Sequence, residues 1–214
     1  MGFTIDLHVH TKYSGDTDSD AEECVLRAIE VGLSGIAFTE HYSYDASWYV
    51  DALREKYGSS IRIFRGVEFS CLDGHCLVFG ANTDKLSLRH ARATEVVRVV
   101  TLNGGVVIPS HPFRGSNSLG ERIWTLKGIS AVEGYNGCNH RAFNEMAVSA
   151  AKTLGLPCTG GSDAHQPDEV GLCYTEFHDE VTYQNFVELL KAGQYHGVDV
   201  RKVSRGWTVT QTAD

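Results

Sequence analysis

The chain has no paired-cysteine motif, no long apolar run and no glycine-rich phosphate loop, and each absence removes a class of function. The six cysteines (Cys24, Cys71, Cys76, Cys138, Cys158 and Cys173) are scattered without a CxxC pair. No charged segment followed by an apolar stretch opens the sequence, so no export signal is visible. The cysteines therefore read as reduced thiols of a cytoplasmic protein. No apolar run approaches the length of a membrane span. Neither GxGxxG nor GxxxxGK[ST] marks a nucleotide-phosphate loop. Low-complexity stretches, proline-rich linkers and internal repeats are also missing, which leaves one domain over residues 1–214. Positive charge is scarce too. With 19 Lys and Arg against 27 Asp and Glu the formal charge is −8, which argues against broad electrostatic binding to nucleic acid or to an anionic membrane. A small anionic substrate stays open, because bound cations can reverse the local field of the carboxylates.

What is present is an ordinary soluble composition, 42% hydrophobic and 21% charged, together with ten histidines. Short apolar strands alternate with helical periods. Strands are expected at Phe3 to His8, Gly35 to Thr39, Ile61 to Phe69, Leu77 to Phe79, Val106 to Ile108, Ile129 to Tyr135, Cys158 to Gly160 and Leu172 to Phe177. Ser19 is expected to cap a first helix, with Glu22 completing a capping box. Further helices are expected at Ala46 to Tyr57, Leu88 to Leu102, Asn139 to Leu154 (Ala and Met on its inner stripe) and Thr182 to Ala192. The turn around Leu72-Asp73-Gly74 reads as a hairpin or a close crossover. The remainder predicts a mostly parallel α/β sheet. Polar residues fall at the C-terminal ends of many strands, which favours a (β/α) barrel over an open sheet with one switch point. The catalytic barrel is expected over about residues 1–192, with a tail at 193–214.

The strand ends carry His8, His10, Asp16, His41, Glu68, His75, His111, Asp163 and His165. His8 and His10, two apart on a strand, share a face while Val9 takes the other. Asp163 and His165 repeat that spacing. Singly, each residue has an ordinary explanation: Asp16 as a turn cap, His41 as a strand end, Glu68 as a solvent-facing strand residue, His111 as a loop histidine, Asp163 as an N-cap. Together they form a set of imidazoles and carboxylates able to hold two or three ions. That mixture suits Mn, Zn or Fe better than Mg or Ca, which prefer oxygen shells.

These residues stand in five motifs: Asp6-Leu7-His8-Val9-His10-Thr11 with Ser14 and Asp16, Ala37-Phe38-Thr39-Glu40-His41, Gly66-Val67-Glu68 with His75, Pro109-Ser110-His111-Pro112, and Gly161-Ser162-Asp163-Ala164-His165. In this order they resemble the PHP family, named for polymerase and histidinol phosphatase. The resemblance implies a distorted seven-stranded, TIM-barrel-like (β/α) barrel carrying three divalent metal ions. It implies that His8, His10, Glu68 and Asp163 hold the first ion. Glu68 would bridge to a second held by His75 and His111, and Asp16, His41 and His165 would hold a third. Two positions depart from common patterns: Asp16 stands where some members carry His, and Glu40 where many carry Asp.

Clustered cations lower the pKa of a bound water and neutralise phosphoryl oxygens. The expected activity is metal-dependent hydrolysis of a small phosphomonoester or a nucleotide phosphate, with Glu68, Asp163 and His165 as catalytic residues. Arg114 is the first candidate to clamp phosphate through its guanidinium, and Arg141 the second; His140 reads as a surface or helix-start residue. A stand-alone exonuclease on nucleic-acid ends is the alternative, and a non-catalytic metal-binding regulatory domain a third reading. No long insertion builds a lid, which points to an open pocket. Nothing suggests a membrane partner.

Overall fold

The computed structural model describes residues 2–88 and 90–201; the last thirteen residues of the expected tail lie outside them. Nine strands and five α-helices follow in order: β1 Phe3–Val9, α1 Ala21–Glu30, β2 Gly35–Phe38, α2 Val50–Tyr57, β3 Arg62–Cys71, β4 Gly74–Phe79, α3 Ala93–Leu102, β5 Val106–Pro109, β6 Val132–Asn136, α4 Arg141–Leu154, β7 Cys158–Gly161, β8 Cys173–Phe177, α5 Phe186–Ala192 and β9 Tyr195–Asp199. Seven strands hydrogen-bond in the order β5-β4-β3-β2-β1-β8-β9, and β6 pairs with β7. The backbone N–H of Ser130 donates to the Val107 carbonyl, that of Asp163 to His8 and that of His10 to Ala164. These bonds set β6 and β7 between β5 and β1. The ring β1 to β7 is thereby the expected distorted seven-stranded barrel.

The sheet is more mixed than the sequence suggested. β1, β2 and β3 run parallel, as do β6 and β7, but β4 is antiparallel to both β3 and β5, and β8 and β9 are antiparallel additions. The Leu72-Asp73-Gly74 turn is the reason, since it is too short for a parallel crossover. β8 takes the lower half of β1, pairing Phe3 with Phe177 and Ile5 with Thr175. The upper half of β1 is left for the segment after β7. A last strand, β9, falls in the expected tail and pairs with β8.

Inside the barrel Ile5, Leu7, Ala37, Leu77 and Ile108 are fully buried in one apolar cluster. Phe186 of α5 stoppers one end, its ring 4.2 Å from Phe64 and 5.3 Å from Phe79. Outside, Val25 and Ala28 of α1 pack on Ile36 and Phe38. Helix α1 is capped by Asp20, whose carboxylate accepts the Glu22 N–H, rather than by Ser19. Met146 is 48% exposed, so the inner stripe of α4 is made by Asn144, Ala147, Ala150 and Ala151 without it. No helix among the described residues is long and apolar enough to cross a membrane.

Candidate metal centre

At the open end of the barrel, opposite α5, the register of β1 against β2 slips between Asp6 and Val9. Below the slip Leu7 packs inside the barrel. Above it Val9 packs outward against α1, and His8 and His10 share the barrel mouth. Strands β2, β3, β5 and β7 all end at this mouth. The reversed β4 begins there and so presents His75. The mouth thereby gathers His8, His10, Asp16, His41, Glu68, His75, His111, Asp163 and His165.

Glu68, 1% exposed, is the centre. Its Oε2 lies 3.4 Å from the Nε2 atoms of both His8 and His10 and 3.1 Å from His41 Nδ1. Its Oε1 lies 2.8 Å from His111 Nε2 and 3.3 Å from His75 Nδ1. Asp163 Oδ1 is 3.3 Å from both His8 and His10 Nε2. Asp16 Oδ2 stands apart with His41 Nε2 at 3.0 Å and His165 Nε2 at 3.3 Å. Two of these nine residues hold backbone angles that side chains rarely adopt, with φ of 56° at Asp163 and 31° at His111, local strain of the kind that collects at functional sites.

The hydrogen bonds fix the tautomers. His8 Nδ1 is 2.8 Å from Glu133 Oε1, a carboxylate that only accepts, so the proton sits on Nδ1. His10 Nδ1 is 2.9 Å from Ser14 Oγ. That hydroxyl donates to Glu40 and therefore accepts from His10. In the neutral rings, the form that binds a cation, both Nε2 atoms are lone pairs, 3.0 Å apart, facing the oxygens of Glu68 and Asp163. This convergence of imidazole nitrogens and carboxylate oxygens, which besides one another meet the Ser110 hydroxyl on Glu68 Oε1 and the Arg114 guanidinium on Asp163 Oδ2, is the donor set of a cation. His41 Nδ1 adds to this, buried without a hydrogen-bond partner among the described residues. The residues present fit divalent metal.

The same field is visible in the ionisation of the groups. Burial opposes charge on Glu68 and Asp163, yet the facing histidines, His8 first, hold both carboxyls well below their usual range. Burial likewise opposes charge on His10, but hydrogen bonds with Asp163 and Glu68 push it up to about 9. His41 goes the other way, down to about 4, through burial and the neighbouring His10.

Residues outside the expected set brace the clustered side chains. Glu133, fully buried on β6, also accepts the His111 N–H at 2.7 Å and the Asn136 amide at 3.0 Å. Asp6 accepts the N–H groups of Ser162 at 2.8 Å and Gly171 at 2.9 Å; burial raises its pKa to about 6. Glu40 does not reach the His41 ring. It binds Thr11, Ser14 and Tyr49, and so supports His10 through Ser14. No motif spacing announced Glu133; its signal was an acidic residue inside an apolar strand, Ala131-Val132-Glu133.

Arg114 reaches the site: Nε donates to Asn139 at 2.8 Å, and Nη2 to Asn136 and Asp163. It lines, with seven of the nine, a cavity of about 150 Å³. Arg141 does not reach it. It lines a separate groove with Lys152 and Arg201 and donates to the Arg201 carbonyl. His140 is exposed beside the start of α4.

A seven-stranded barrel whose mouth is lined by histidines and carboxylates is the arrangement that the PHP resemblance of the five motifs implies. Residues 141–195 match the family described as PHP-associated. The fold is shared with PsfC from Pseudomonas syringae (TM-score 0.70, 21% identity, 92% of this chain and 91% of that one). It is shared also with the lesion-specific endonuclease PfuEndoQ from Pyrococcus furiosus (TM-score 0.69, 16% identity, 92% of this chain but 57% of that one). A Methanocaldococcus jannaschii protein without assigned function, MJ1587, is 26% identical over 142 residues, 61% of this chain and 80% of its own. The PHP resemblance carried by the five motifs thus holds through the PHP-associated segment and the fold.

Proposed function

We propose that the protein is a metal-dependent phosphoesterase acting on a small phosphomonoester or nucleotide phosphate. The observation that carries this is the convergence of imidazole nitrogens and carboxylate oxygens around Glu68, in a cavity rimmed by a partly free guanidinium. The two oxygens of Glu68 and the separate Asp16 support a reading with three cations. His8, His10, Asp163 and Glu68 Oε2 would hold one, His75, His111 and Glu68 Oε1 a second, and Asp16, His41 and His165 a third. The mixed N/O set fits Mn, Zn or Fe. When bound, the ions supply positive charge against the phosphoryl oxygens and lower the pKa of water.

The chain's own residues do the rest. Glu133 and Ser14 hold His8 and His10 with Nε2 toward the cavity, so the ligands are oriented before substrate arrives. Arg114 is braced by Asn136, Asn139 and Asp163, while its Nη1 makes no hydrogen bond among the described residues. That edge is available to a phosphoryl oxygen at the cavity lip. Glu68, Asp163 and His165 line the cavity and would act on the reaction by holding the ions against the phosphoryl group.

Phosphate release from a panel of phosphomonoesters, after loading with Mn, Zn or Fe separately, tests the reading. Mononucleotide release from an oligonucleotide without phosphate release from any monoester would favour the exonuclease instead. Metal binding with neither activity would favour the regulatory domain.

A further inference from the structure

Arg114 offers its Nη1 edge to a phosphoryl oxygen only while the rest of its guanidinium is held in place. Two of the three side chains that hold it, Asn136 and Asn139, belong to the end of β6 and the turn that leads into α4. The Cys138 N–H donates at 3.0 Å to the same Asn136 oxygen that receives Arg114. This turn lies close against the segment after β7. A Cβ on Gly137 would lie 2.6 Å from the Ser162 carbonyl oxygen, and the Cys138 thiol donates to the Asp163 carbonyl at 3.1 Å. The carbonyls of Gly137 and Asn139 need partners of their own. Both are taken by one atom from far along the chain, Arg201 Nη1, at 2.8 and 2.6 Å.

Arg201 is itself firmly seated. Its Nε and Nη2 donate to Asp199 Oδ1 and Oδ2 at 2.9 and 2.6 Å, the two-pronged match of guanidinium and carboxylate. Its backbone N–H donates to Asp199 Oδ1 at 3.0 Å, and its carbonyl accepts from Arg141 Nη2 at 2.5 Å. Only 18% of its side chain is exposed. Asp199 closes β9, which pairs with β8 outside the seven-stranded ring. Held in this way, Arg201 is a fixed peg under the turn rather than a mobile surface charge.

We infer that Arg201 is a positioning residue for the phosphate clamp. Seated on Asp199, it fixes the turn at residues 137–139 and, through Asn139, sets the direction in which Arg114 faces the cavity. The added strand β9 thereby serves the barrel mouth, and Arg141, which does not reach the cavity, contributes by holding Arg201. The phosphoryl end of this inference rests on the phosphoesterase reading; the coupling of Arg201 to the turn does not.

The test titrates inorganic phosphate into the Mn-loaded protein by calorimetry, with metal content measured on the same samples. Separately, alkylation of the exposed Cys138 by iodoacetamide is followed by mass spectrometry without added metal. Arg114→Ala should weaken phosphate binding about tenfold, the low end for a hydrogen bond to a charged group. Arg201→Ala should weaken it several-fold at unchanged metal content, and should speed Cys138 alkylation because the turn is released. Arg201→Lys, which keeps a cation able to reach the two carbonyls, should recover most of the affinity. Arg201→Ala added to Arg114→Ala should bring no further loss, since both act through one contact. Should Arg201→Ala fold poorly, Asn139→Ala, which leaves Arg201 and the backbone carbonyls in place, must give the same loss of phosphate binding. Wild-type phosphate affinity in Arg201→Ala overturns the inference, as does an undiminished further loss in the Arg114→Ala background. An unchanged rate of Cys138 alkylation, or a wild type that binds no phosphate, overturns it too. Arg201-dependent phosphate binding in a protein that hydrolyses no ester would sustain the positioning role and sink the phosphoesterase reading.

Discussion

Glu133 touches the site twice, at the His8 ring and at the His111 backbone, so one buried carboxylate orients two ligands that the proposed arrangement assigns to different ions. Glu133→Gln keeps the volume but replaces one acceptor by a donor. The amide oxygen can serve His8 or the His111 N–H, and its NH2 then faces the other donor. Metal affinity should fall about 10- to 100-fold, read by titration with a competing chelator. Unchanged affinity would mean that the ligand geometry does not depend on this contact. Sequence was informative at this scale for the side chains that gather at the mouth and poor for the groups that brace them. His8, His10, Asp163 and His165 stand out because imidazoles and carboxylates at strand ends are unusual. Glu133 and Ser14 are defined only by what lies opposite them across the barrel, which spacing does not encode.

Among the elements, the first strand shows where pattern reading stops. Strict alternation puts Leu7 and His8 on opposite faces, yet the slipped register lets Leu7 fill the interior while His8 reaches the mouth. A bulge adds a residue without a signature in composition. Close approach at the other side of this strand is legible only in space. A Cβ on Gly161 would lie 2.5 Å from that of His8 and 2.9 Å from its backbone N. Gly161→Ala should therefore push β7 from β1, costing about 1–3 kcal/mol in urea unfolding, and should weaken metal binding with it. Full stability would contradict the packing described. The helix start offers a cleaner case. Asp20→Ala removes the carboxylate that accepts the Glu22 N–H and should cost about 1 kcal/mol, whereas Ser19→Ala leaves that bond in place.

For the whole molecule, the barrel was readable because polar residues closed so many strands, and the resemblance supplied its closure. The reversed β4 and the added β9 were not. A hairpin and a crossover share the same turn residues, and the short run Tyr195-His196-Gly197-Val198-Asp199 has little apolar pattern. Gathering the proposed ligands from so many strands at one end of a ring ties metal binding to the folded state. Metal binding should therefore stabilise it, because an ion that binds only the folded chain adds stability by mass action. Chelation should lower the melting temperature, and re-addition of Mn or Zn should restore it. Lowering the pH should release metal as well, since imidazoles bind as the neutral form and protons compete for the same lone pairs. A melting temperature indifferent to chelator would contradict this coupling.

The central claim is that the His8–His10 pair holds catalytic metal. Elemental analysis and phosphatase turnover, measured on the same preparations of wild type and the His8→Ala/His10→Ala variant, test it directly. Bound metal and hydrolysis should both be lost in the variant; unchanged turnover in a metal-depleted double mutant would contradict the account.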